Sequence, residues 1–318
     1  MHSDDAFEDA PHFRLKRKKS WDEEGVAATV GTILSLMVFL TFIGMFTNQY
    51  IPMWMKENES NHMNSVVGQL SNLKSGIDMQ VLNNNEQVAS APIYSPLSLH
   101  AEGVPVFSSP TMGTLAFTSE KDSGGPSIVI TYRYIAGATY DLDSTNGGKT
   151  GGSLEFYGAN RYYIQQNVTY ENGGIMLNQS DGEAMLSGIA IRLVNDSGLW
   201  TVKITLTSLS GVSKTIGGFG TKSITSTLEY TTYQKMVNSS GHDVTLKIVT
   251  KYPYAWKTYY WSLLNKSGVP YDPSNVVRSD DVDPLNPGYR TVTVTIPNVQ
   301  TLEYTKAVAT ISIADIGV

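Results

Sequence analysis

"VAATVGTILSLMVFLTFIGMF" occupies residues 26–46, and none of its 21 side chains is charged. As a helix it extends about 31 Å, one hydrocarbon thickness. The uncharged stretch is wider still, because no Asp, Glu, Lys or Arg lies between Glu24 and Lys56. A secretory signal carries an apolar region of only about 7–15 residues and ends at a small-residue cleavage site. Here the run leads instead into Tyr50, Pro52 and Trp54. Aromatic rings of that kind suit a membrane interface. The stretch predicts a transmembrane helix over 26–50, kinked at its exit where Pro52 lacks an N–H.

The flanks set the orientation. Arg14, Lys16, Arg17, Lys18 and Lys19 precede the span, and only Lys56 follows closely. An excess of basic residues marks the cytoplasmic side, so residues 1–25 are expected inside and everything after about residue 50 outside. That makes a single-pass protein of the cell membrane, with the bilayer as its first partner.

An amphipathic helix is predicted over 51–84. Met63, Val66, Leu70, Leu73 and Ile77 recur in steps of three and four, a narrow apolar stripe. The opposite face is expected to carry Lys56, Glu57, Glu59, Asn61, Asn64, Gln69, Asn72 and Lys74. Two fates are open to the stripe: packing on the chain's own β region, the commoner one, or a helix bundle between subunits.

The segment "GVAATVGTIL" (residues 25–34) resembles the start of the membrane helix in archaeal type IV pilins and pilin-like proteins, which carry a class III signal. The resemblance implies cleavage by a membrane-embedded aspartyl prepilin peptidase. Carried onto this sequence, Glu24 is the charged residue before the cut, Gly25 the last residue removed and Val26 the new N-terminus. Residues 1–25 are then a leader, and pilin-like subunits are the implied partners through the N-terminal helix. Ala27 and Ala28 replace the more usual Ser-Pro, and "SWDEE" sets the basic run back from the cut. Residues 48–78 and 153–176 are similar to an uncharacterised group of archaeal membrane-anchored, pilin-like surface proteins, a likeness that brings no assigned activity.

From residue 91 the pattern changes to period two. "LWTVKITLTSL" (199–209), "DVTLKIV" (243–249) and "TVTVTIPNV" (291–299) alternate apolar and polar residues, and "SIVITYRYIA" (127–136) is rich in β-formers. With intervening Gly, Asn, Asp and Ser turns they predict a mainly β ectodomain over 85–318, an antiparallel sandwich of one or two domains. Residues 91–113, rich in Pro and Ser, read as an extended lead-in. "YAWKTYYWSLLNKSG" (254–268) spaces Trp256, Tyr259, Tyr260, Leu263 and Leu264 as a short helix ended by Gly268.

Composition excludes several functions. The net charge of -6 is spread along the chain and argues against a nucleic-acid partner. The absence of cysteine removes disulfides, thiol catalysis and thiolate metal sites. "DSTNGGKT" (143–150) imitates the end of a phosphate-binding loop, yet Asp143 stands where glycine is required and a strand follows in place of a helix. It reads as a hairpin loop. The carboxylates of 141–143 and 280–283 miss the EF-hand spacing, and the five histidines are scattered, so neither a metal nor a cofactor is expected. Glycosylation sequons stand at Asn58, Asn167, Asn178, Asn195, Asn238 and Asn265, all on the expected outer side. The functional expectation is a non-catalytic surface protein: a pilin-like subunit, or an anchored protein of envelope architecture or adhesion. The alternative is a tethered binding module for a glycan, ligand or partner protein.

Overall fold

The computed structural model describes residues 20–84, 89–136, 138–270, 272–279 and 287–315, with side chains for all of these except 20–24 and 134–141. The chain divides at Pro52/Met53 into two units.

The first unit is built on helix α1 (Ser20–Met45) and a π turn over Phe46–Tyr50. Helix α1 begins six residues ahead of the predicted leader junction, so "SWDEE" is helical. The π turn is closed by the Ile51 N–H donating to the Phe46 carbonyl. A wide turn just upstream of Pro52 fits the physics of proline, whose ring and missing N–H disrupt the bonds one turn back. Helix α2 (Ile51–Leu82) follows directly.

The second unit is mainly β. Its strands in chain order are β1 (Ile93–Ser98), β2 (His100–Ala101), β3 (Thr111–Thr118), β4 (Ser127–Ala136), β5 (Ala138–Leu142), β6 (Lys149–Gly151), β7 (Ser153–Gly158), β8 (Gln166–Glu171), β9 (Gly174–Gln179), β10 (Gly182–Ser187), β11 (Ala190–Asp196), β12 (Leu199–Gly211), β13 (Lys214–Gly218), β14 (Thr221–Thr250), β15 (Val276–Ser279) and β16 (Arg290–Asp315). Helix α3 (Pro253–Ser267) lies between β14 and β15. One sheet runs β11-β12-β16-β14-β4-β5, with β1, β6 and β15 on its flanks; the other runs β10-β9-β8-β7-β3-β13, with β2 beside β3. The pairings are antiparallel except β12 with β16. The predicted lead-in over 91–113 is therefore part of both sheets, through β1 and β2.

Two apolar cores fill this unit. One gathers Trp200, Val202, Ile204, Leu246, Ile248 and Val294 with Trp256, Tyr260 and Leu264 of α3. The other seats the α2 stripe (Met63, Val66, Leu70, Leu73 and Ile77) against Leu97, Leu115, Phe156, Val168, Ile224 and Ile311, side chains from both sheets. The stripe is thus spent inside the chain. Helix α3 matches the aromatic spacing, and Gly268 caps it at φ 82°, a left-handed conformation that favours glycine. The long strands β14 and β16 run through both cores, which makes the β region and α2 one unit.

Candidate functional site

The N-terminal segment presents a long run of exposed apolar side chains. Leu36, Met37, Val38, Phe39 and Leu40 are all more than half exposed, and at 100° per residue these five consecutive positions cover every side of α1. Val26 is exposed, and a Cβ built on Gly25 would meet nothing within 4 Å. The Gly25–Val26 bond therefore lies on an open helix surface. Cutting it requires the helix to open locally, because the bond sits inside α1 rather than at its end. The Glu24 side chain lies outside the described residues.

Two buried carboxylates organise the β unit. Glu59 is fully buried on α2, one turn below Met63 and one above Met55, and so belongs to the covered face rather than the polar face expected for it. Its carboxylate accepts from the Thr111 hydroxyl (2.6 Å) and from three consecutive backbone N–H groups, Arg161 (3.0 Å), Tyr162 (2.7 Å) and Tyr163 (2.7 Å). Desolvation pushes its pKa up, but these donors outweigh it and hold it below the ordinary carboxylate value. Arg161 in turn donates to the Ser109 carbonyl at 2.6 Å. The β7–β8 loop, the start of β3 and α2 are thereby clamped together.

Glu171, at the end of β8, has the opposite environment. Its Oε1 accepts from the Thr250 hydroxyl and the Trp256 indole N–H, each at 2.6 Å. Complete burial outweighs both bonds and pushes its pKa up to about 7. Next to it, Glu155 accepts from Lys251 (2.8 Å) and the Tyr252 hydroxyl (2.8 Å), and Tyr252 also takes a bond from Thr169 (2.9 Å). A carboxyl titrating near neutrality beside a tyrosine and a lysine has the makings of acid–base chemistry. It borders neither of the two clefts described next, however, and its polar neighbours satisfy it internally.

Those clefts lie elsewhere. One of about 370 Å³ is bordered by Arg133, His242 and Asp243, and one of about 310 Å³ by Glu120, Lys149 and Lys306. The "DSTNGGKT" segment edges the latter. Asp143 Oδ1 accepts from the N–H groups of Thr145 (2.7 Å) and Asn146 (3.0 Å), which turns the loop onto its own carboxylate. Strands β5 and β6 on either side both pair with β4 and not with each other, so the loop bridges two stretches of one edge and is not a hairpin. Among the described residues no three His, Asp or Glu side chains converge to hold a metal. Residues 280–283 lie outside the described residues.

The sequons separate by burial. Asn195 and Asn265 are exposed, while Asn58, Asn167 and Asn178 are half-buried. Asn238 is fully buried, its amide donating to the Arg133 carbonyl at 3.2 Å. That amide nitrogen is inaccessible in the folded chain. Sequence reasoning missed Glu59, Glu155, Glu171 and Lys251. The signal for Glu59 was its place in the row Met55, Glu59, Met63; the others depend on which strands meet. Compared with protein-family models, curated proteins and solved structures, the chain matches none.

Proposed function

We propose that this chain is a single-pass membrane protein whose β unit stands on the outer side as a structural surface element, either a pilin-like subunit or an anchored protein of the envelope. The observation that carries this reading is the exposed apolar girth of α1 beside the fully covered stripe of α2. A helix apolar all round needs an apolar solvent, which lipid or like helices supply. The basic cluster ahead of it supports a cytoplasmic N-terminus. In the pilin-like reading, a prepilin peptidase removes residues 1–25 and the freed helix exchanges lipid for the helices of other subunits. No catalytic step is assigned to the chain. Glycans on the outer side are assigned to the exposed Asn195 and Asn265.

A second reading, a tethered binding module, is favoured by the polar cleft at Arg133, His242 and Asp243. N-terminal sequencing of the protein from its native membrane separates subunit from static anchor. A chain starting at Val26 is expected for the pilin-like subunit; an intact 1–25 segment would eliminate it.

A further inference from the structure

We propose that the tip of the β2–β3 hairpin, Val106 and Phe107, is a second membrane contact that dips into the lipid interface beside Met53 and Trp54. The inference rests on the reading of α1 as a membrane anchor.

Val106 is completely exposed and has φ 71°, a left-handed conformation that a β-branched residue adopts only under strain. Phe107 beside it is 44% exposed. The turn is well made, with Val104 N–H donating to Ser108 O (3.0 Å) and Ser108 N–H to Val104 O (2.9 Å). The segment "GVPVFSSP" (103–110) has no charged residue, although a water-facing loop ordinarily carries some. An ordered turn thus holds Val106 fully exposed, with Phe107 half-exposed beside it.

The contacts of the hairpin give its direction. The Ser98 carbonyl meets His62 Nε2 of α2 at 3.0 Å, and the Glu102 carbonyl accepts from the Asn58 amide at 3.1 Å. Moving down β2 therefore moves toward the N-terminal end of α2. The returning strand agrees: Thr111 bonds Glu59, whereas Gly113 pairs with Gly158, which lies against Met63. The closed end of the hairpin lies beyond Asn58, on the side of Trp54. Two extended residues from Glu102 to Val104 advance about 7 Å. Trp54 lies about 6 Å from Asn58 along the helix axis. The tip therefore comes to the level of Met53 and Trp54, which are 56% and 41% exposed. Trp at that level and an apolar tip beside it share one preference, the headgroup region of a bilayer.

The chain has no cysteine, so single substitutions label cleanly. Full-length V106C, V212C and F42C, each carrying an environment-sensitive fluorophore, are reconstituted in phosphatidylcholine–phosphatidylglycerol vesicles with nitroxide lipids. Val212 is the aqueous reference, being 87% exposed and close to Lys214, which pairs with Phe117 at the far end of β3. The label at 106 is expected to shift to the blue and lose emission severalfold to headgroup nitroxides, while that at 212 does neither and that at 42 is quenched by acyl-chain nitroxides. Quenching at 42 with a water-like label at 106 overturns this contact and leaves the anchor standing. A blue shift at 106 without quenching overturns it in favour of contact with another copy of the chain. No quenching at 42 overturns the anchor and this contact together.

Discussion

Glu59 and Glu171 are both buried carboxyl groups, and their surroundings drive their acidities apart. Glu59, held below the ordinary value, contributes stability above that value and loses it as pH falls through its folded-state pKa. Glu171 behaves in reverse. Its unfolded pKa is 4.5 and its folded one about 7, so its contribution is full below pH 4.5 and is lost as pH rises through about 7. Glu171→Gln keeps an oxygen to accept from Thr250 and Trp256 and removes the cost of a buried charge. The variant is expected to gain about 3 kcal/mol over the parent at pH 8 and to match it near pH 4. Denaturant unfolding at the two pH values measures this, and equal effects at both would contradict it. Neither environment was legible from residue type. The donors to Glu59 come from a loop a hundred residues later, and Glu171 is buried by a helix from another part of the chain.

At the scale of elements, α1 and α2 are both helical but bury their apolar residues in different places. Leu70 is fully buried in the core that seats the α2 stripe, whereas Leu36 is 56% exposed on α1. Leu70→Ala is expected to cost about 2–5 kcal/mol, the range for a large-to-small change in a packed core. Leu36→Ala should leave the unfolding of the β unit unchanged, as thermal unfolding of the full chain in detergent would record. A comparable loss in both variants would mean that α1 too packs in the β unit. The stripe of α2 was legible because its period matches a helix face, and α3 because aromatic spacing and Gly268 agree. The length of β14 was not. "NSSGHD" (238–243) has the composition of a turn, yet the strand passes through it as a bulge, with Gly241 at φ 68° opposite Asn298 at φ 54°.

At the scale of the molecule, a chain without cysteine holds its β unit without disulfides, around two cores threaded by β14 and β16. The mainly β class with a long apolar N-terminal helix was legible because each rests on local periodicity. The strand order and the parallel β12–β16 pair were not, since they join segments a hundred residues apart. Functional reading follows the same division. The long helix that could span a membrane is written in one uninterrupted apolar run, whereas the clefts and clamps form only when distant strands meet. Alkaline carbonate extraction of membranes carrying the full-length chain tests the anchor most directly. Retention in the membrane pellet is predicted, and release into the supernatant with the soluble proteins would contradict it.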